Sequence, residues 1–299
     1  RPVSSAASDV YKRQVIGFGA GEPDFPTPEY VIKDVQVAAE DPANHKYSAV
    51  AGLNVLKDEI VRTSKLYSGI EVDQENIVVS NGGKHAILTT FMSLLNPGDE
   101  VLIPSPYWTT YPEAVKISGG NPIIVDTEFD DDFKINIDQL EALKTNNTKI
   151  LVWVSPSNPT GVVYTKEEAE KIYNWAFDND IWILSDELYE HLVYEGVTSP
   201  SPAQYDKTLK KTIVINGVAK AYSMTGWRVG WIIANTEVID MAKKIQSHAT
   251  SNVSNLSQIA AYSALKNGLN ETNKMKESFN RRRLNAIDKF SQIENVNLI

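Results

Sequence analysis

The sequence predicts an α/β fold, a mostly parallel sheet with helices on both faces, three layers in all. Two observations carry that expectation. Seven short apolar runs, at 77–80, 101–103, 122–125, 149–154, 181–186, 213–215 and 229–234, are near-continuous rather than alternating. That pattern marks strands buried on both faces. Stretches of amphipathic helical periodicity separate most of them, and strand–helix repetition is how a parallel sheet is connected.

Taken in order, residues 1–14 lack periodicity, do not begin with Met and read as a tail. Val15-Ile16-Gly17-Phe18 is a strand candidate. The segment from Gly19 to Pro28 holds two glycines and three prolines and reads as a fixed loop. Thr27-Pro28-Glu29 spells an N-cap followed by proline at the first helical position, opening a helix over 29–40. A second helix is expected over 53–67. Asn81-Gly82-Gly83-Lys84 opens a third, which ends near Asn96-Pro97-Gly98-Asp99. Further helices are expected after Trp108 through Val115, over 137–143 with Asp138 at its cap, and from Thr165, where Thr-x-x-Glu spells a capping box. The run Ile213-Val214-Ile215 is expected to break at the turn signal Asn216-Gly217. From Glu237 onward the pattern is helical. The last helix carries Arg281-Arg282-Arg283 and leads toward a second, smaller and incomplete domain. The chain stops inside an apolar segment at Asn297-Leu298-Ile299 and reads as cut at both ends. This suggests a tail (1–14), an N-terminal segment bordering the small domain (15–45), a large domain (46–277) and the start of a small one (278–299).

Composition narrows the function. A net charge of −9 disfavours non-specific binding to nucleic acid or anionic membrane. Cysteine is absent, which removes thiolate metal sites and thiol nucleophiles and fits a reducing compartment. The four histidines are scattered without ligand spacing, so no metal site is expected. No apolar run reaches membrane-spanning length.

In an open α/β sheet, ligands sit at the carboxyl ends of strands. Four such ends here carry complementary polar residues: Asn81-Gly82-Gly83-Lys84, Asn158, Asp186 and Lys220. A lysine just past a buried strand is poorly solvated, which lowers its pKa toward a usable nucleophile. Arg228, eight residues on, suits a phosphate or carboxylate. Alone, such a pair is more often a surface lysine and a surface arginine after a strand. Gly82-Gly83 at a helix start offers an anion cradle. A nucleotide P-loop is excluded, because His85 stands where Ser or Thr would hold magnesium and the first motif glycine is missing. Asp186 could face a pyridinium nitrogen, Tyr189 and Asn158 a ring oxygen, and Trp108 a ring face. Each also has a bland reading, as a turn cap or a core residue.

Together these stretches resemble the class I aminotransferases among the fold-type I pyridoxal-phosphate enzymes, most closely the bacterial aspartate aminotransferases. The similarity is carried by Ala20-Gly21-Glu22-Pro23-Asp24-Phe25, Lys46-Tyr47, Gly82-Gly83-Lys84, Pro97-Gly98-Asp99-Glu100, Ser105-Pro106-Tyr107-Trp108, Ser157-Asn158-Pro159-Thr160-Gly161, Ser185-Asp186-Glu187-Leu188-Tyr189 and Ala219-Lys220 through Trp227-Arg228. It implies pyridoxal 5'-phosphate as cofactor, held by Lys220 as a Schiff base. Lys220 would also move the substrate proton. Asp186 would pair with the ring nitrogen, Tyr189 and Asn158 with the ring oxygen, and Trp108 would stack on the ring. Gly82, Gly83, Lys84 (through backbone amides) and Arg228 would hold the phosphate. Tyr47 would reach the phosphate of a neighbouring protomer, implying a homodimer with shared sites. Gly21, Trp108, Asn158 and the Lys84 side chain would contact substrate, with Lys84 on the distal carboxylate of aspartate or glutamate. The implied reaction is ping-pong transamination in the cytoplasm between an L-amino acid, aspartate foremost, and 2-oxoglutarate. The alternatives are prephenate or aromatic transamination, C–S lysis on the same fold, or a catalytically silent ligand-binding relative. Two departures stand out. Gly217 replaces the usual serine of the lysine loop. The arginine that grips the substrate α-carboxylate lies further toward the C-terminus than this sequence extends, so the chain alone is expected to turn over poorly.

Overall fold

A computed structural model of the chain describes residues 21–298. The expectations for 1–14, the strand candidate at 15–18 and the start of the glycine–proline loop lie outside the described residues. Seven strands form one sheet: β1 (Ile77–Ser80), β2 (Glu100–Pro104), β3 (Asn121–Val125), β4 (Thr148–Val154), β5 (Trp182–Asp186), β6 (Thr212–Gly217) and β7 (Gly230–Ile233). Their order is β1-β7-β6-β5-β4-β2-β3. All neighbours run parallel except β7, which is antiparallel to both β1 and β6.

The apolar runs are continuous because the sheet is covered twice. On β6, Ile213 and Ile215 face one apolar cluster and Val214 the other. On β4, Ile150 and Val152 point to one side, Leu151 and Trp153 to the opposite one. One layer holds α3 (Gly83–Leu94), α4 (Thr110–Ile117) and α7 (Thr236–Ala249). The opposite face carries α1 (Glu29–Ala38), α2 (Asn54–Thr63) and α8 (Asn255–Lys266) at one end. At its other end lie α5 (Ile137–Leu143) and α6 (Lys166–Asp178). Each fully buried Ile, Val or Leu contributes roughly 1.5–3 kcal/mol, so the sheet is a stiff frame for whatever its strand ends carry. The last helix, α9 (Asn270–Phe290), runs unbroken through positions 277 and 278.

Four local expectations are corrected. Thr27 is not the cap of α1. Pro28 occupies that position, while the Thr27 hydroxyl donates to the Ser223 carbonyl (3.2 Å) and accepts from Trp227 Nε1 (3.0 Å). The helix over 53–67 stops at Thr63 and continues as a wider π turn over Ser64–Ser68, ended by Gly69 in the left-handed region. Asn136, not Asp138, caps α5, exchanging bonds with Gln139 in a capping box. Asn216-Gly217 does not break β6, because both residues pair with β7 opposite Trp231 and Gly230. The Thr165–Glu168 capping box of α6 is present as expected.

Candidate active site

β7 reverses direction between β1 and β6, so the carboxyl ends of those two strands sit side by side. Ser80 pairs with Gly230, which pairs with Gly217. On the other side of β6, Ile215 pairs with Asp186, and Asp186 with Val154 of β4. The register thus sets the cradle after β1, the turn after β6, Asp186 and the loop after β4 along one edge of the sheet.

The cradle is built for glycine. Gly82 has φ +82°, and a Cβ there would lie 2.6 Å from Arg228 Nη2. Alanine would therefore meet both a disfavoured backbone region and the guanidinium. Gly230 brings its backbone so close that a Cβ would fall 2.7 Å from Gly83 N. The first N–H groups of α3, from Gly83 onward, have no preceding turn to bond and carry the positive end of the helix dipole. Arg228 is moored over them. It donates to the carbonyls of Thr225 (3.0 Å) and Asn81 (3.3 Å). His85 accepts from Asn81 N (3.2 Å), a structural use that fits its exclusion from phosphate chemistry.

Lys220 lies in the coiled turn after β6, between buried Ala219 and Ala221. Its amine donates to the Gly21 carbonyl and stands 5.5 Å from the centre of the Tyr189 ring. Partial burial lowers its pKa, as does Arg228, while Glu22 and Asp186 oppose the shift. Gly21 therefore meets the lysine through its C=O. The segment after it is tied to the same turn, through Glu22 to the Thr225 hydroxyl (2.9 Å) and the Phe25 carbonyl to the Ser223 hydroxyl.

Asp186 is 5% exposed. One oxygen accepts from the Tyr111 hydroxyl at 2.7 Å and the other from Leu188 N at 3.2 Å. Burial raises its pKa, against the pull of those two donors and of Lys220. Tyr189 sits near Asp186 and the Asn158 amide, and burial raises its phenol pKa. Trp108 meets Tyr111 edge to face at 5.7 Å and carries Lys84 Nζ over its ring at 5.0 Å. A cavity of about 600 Å³ opens between Gly21, Asn158, Tyr189, Lys220, Tyr194 and Arg283. Tyr47 is not brought to this cluster within the chain and is 89% exposed.

Sequence reasoning missed three contributors. Tyr111 lies one helical turn past Trp108, the one spacing that could have flagged it. Arg283 reaches the cavity wall while paired to Glu195. Glu187 sits directly behind Asp186, buried, accepting from Ser185 (2.7 Å) and Ser201. The Gly217 departure also has a local cause, since a Cβ at that position would lie 2.8 Å from the Val229 carbonyl.

The donor set fits pyridoxal phosphate. A glycine-only anion cradle under a guanidinium, an amine of lowered pKa and a buried carboxylate match the group's phosphate, carbonyl and basic ring nitrogen. The family model for aminotransferases of class I and II matches residues 13–299. The chain belongs to that family. It is 48% identical over 285 residues to an aspartate aminotransferase of Streptomyces avermitilis, covering 95% of this chain and 70% of the relative. It is 40% identical to an aspartate/prephenate aminotransferase of Cereibacter sphaeroides, covering 95% and 71%. The structure of an aspartate aminotransferase from Rhizobium meliloti superposes with a TM-score of 0.92 at 36% identity, covering 96% of this chain and 73% of that one. The chain is thus an aminotransferase, an enzyme that moves an amino group between an amino acid and a 2-oxo acid.

The buried acid beside the aminotransferase site gives a pH signature. Burial first, and then the charge of Glu190, push Glu187 up to about 8 from an ordinary 4.5. The folded state then binds more protons than the unfolded one, so this contribution is full below about pH 4.5 and lost as pH rises toward 8. Glu187→Gln should flatten that decline. Melting temperatures of the two proteins, compared from pH 5 to 9, check it, with the largest gain for the variant at the alkaline end.

Proposed function

We propose that the chain is the cofactor-binding core of a pyridoxal-phosphate-dependent aspartate aminotransferase, acting in the cytoplasm as a homodimer with shared sites. The observation that carries this reading is the convergence of Lys220, Asp186 and the Gly82–Gly83–Arg228 cradle along one sheet edge. When bound, the cofactor supplies an electron sink that lets an amino-acid Cα–H ionise.

The chain's residues do the rest. Arg228 and the N–H groups of Gly83 and Lys84 bind the phosphate end. Asp186, ionised, holds a proton on the ring nitrogen. Tyr189 and Asn158 orient the ring oxygen, and Trp108 covers a ring face. Lys220 would take the Cα proton at Nζ and, as the ammonium, hand it on two atoms away, to the carbon on the far side of the substrate nitrogen. Water would release the carbon skeleton as a 2-oxo acid while the amino group stays at the site, and a second 2-oxo acid would take that group up by the same steps in reverse, which gives ping-pong kinetics. The exposure of Tyr47 supports its service to the second protomer. Residues 46–277 are read as the large domain, with the small domain beginning within α9.

Lys84 argues for a dicarboxylic substrate, because its ammonium lies over Trp108 and pairs with no carboxylate among the described residues. The same aromatic surface favours a second donor class, prephenate or aromatic, in keeping with the relative named for both aspartate and prephenate. Lys84→Ala should lower kcat/KM for aspartate by about 10- to 100-fold, the scale of one lost charge-assisted bond, and leave apolar and aromatic donors within about threefold. A donor panel with 2-oxoglutarate measures this. Equal losses for all donors would remove Lys84 from substrate recognition.

A further inference from the structure

We propose that Tyr111 is a positioning residue for the reaction: its phenol fixes the Asp186 carboxylate and holds it in the ionised form that the cofactor's ring nitrogen requires. The inference rests on the reading of Asp186 given above. Three observations support it. The bond is well formed, at 2.7 Å, and both partners are buried, Tyr111 being 1% and Asp186 5% exposed. Tyr111 is locked from below, since it lies in α4 among Ile87, Val101 and Val115, with its N–H on the Trp108 carbonyl (3.1 Å). It also supplies one of two hydrogen bonds to the Asp186 carboxylate among the described residues, the other being the Leu188 N–H.

A buried carboxylate left to itself takes up a proton. A neutral acid opposite the ring nitrogen would withdraw the charge that makes the ring an electron sink. A phenol that only donates favours the anion and fixes which oxygen faces the ring. The phenol stays protonated, because burial and the neighbouring Asp186 raise its pKa. The other titratable groups facing Asp186 are Lys220 and Tyr189, with Glu187 adjoining it in sequence. Lys220 is engaged by the cofactor and Tyr189 faces Asn158, which leaves Tyr111 as the dedicated partner.

The test uses the full chain loaded with pyridoxal phosphate, comparing the parent, Tyr111→Phe, a site-specific fluorinated tyrosine at 111, and Lys220→Ala. Two quantities are read without turnover, cofactor affinity and the pH midpoint of the bound cofactor's absorbance. Tyr111→Phe should weaken affinity by about 10- to 100-fold, the scale of one hydrogen bond to a charged group. It should also raise the midpoint, because loss of charge on the ring makes the lysine-linked proton harder to remove. The fluorinated tyrosine, a more acidic and near-isosteric donor, should move the midpoint the opposite way. It decides alone if the phenylalanine variant melts below the assay temperature. Parent-like affinity and midpoints in both variants, with the absorbance lost in Lys220→Ala, would overturn the role of Tyr111 and leave the site reading intact. Unchanged absorbance in Lys220→Ala would overturn the site reading, and this inference with it.

Discussion

Lys220→Ala should lower transaminase turnover by about four orders of magnitude or more, because one residue supplies both the covalent anchor and the proton carrier. The geometry offers no substitute close by. Lys84 Nζ lies over the Trp108 ring and is assigned to the substrate's distal carboxylate, and Arg228 cannot act as a base. Fold stability should change little, since the Lys220 side chain is half-exposed and its one hydrogen bond among the described residues is to the Gly21 carbonyl. The cofactor should still bind weakly through the phosphate cradle. Added small amines should restore part of the proton transfer while the covalent anchor stays lost. Rates with saturating cofactor, with and without methylamine, check the result.

Asp186→Ala should cost about 10²- to 10⁴-fold in turnover, the range expected when one member of a buried charge pair is removed. Its stability signature runs the other way. In the cofactor-free chain the Asp186 pKa is raised by burial. A carboxyl whose folded pKa exceeds its unfolded value contributes stability at low pH and loses it as pH rises past the ordinary carboxylate range. Without cofactor, the variant should therefore fall further below the parent at pH 5 than at pH 8. With cofactor, it should lose most of the stabilisation that loading gives the parent. Paired melts with and without pyridoxal phosphate separate a residue kept for the ring nitrogen from one kept for the fold. A cofactor-free deficit as large at pH 8 as at pH 5, with the gain from loading kept, would mark Asp186 as structural.

Much of the frame was legible because burial on both faces writes continuous apolar runs, and all seven observed strands coincide with such runs. The Asn216-Gly217 break was misread because local turn propensity lost to pairing with β7, and only tertiary contact could show that. The Thr27 cap failed for a similar reason: its hydroxyl was taken by Ser223 and Trp227, nearly two hundred residues away. The reversal of β7 was not legible either, since an apolar strand reads the same in both directions. Within the site, residues that end strands could be found from sequence because topology alone sets their edge. Tyr111 was marked only by its spacing one turn past Trp108, because its partner is chosen by the way α4 lies on the sheet. Tyr47 remains apart from the cluster in a single chain, as a residue serving a second protomer would.

The central claim is that Lys220 is the amine that captures the cofactor. Incubating the chain with pyridoxal phosphate, reducing with borohydride and mapping the modified peptide by mass tests it most directly. A single pyridoxyl group on the peptide holding Lys220 is the predicted result. A label on Lys84, a label spread over exposed lysines such as Lys33 and Lys65, or no label at all, would contradict it.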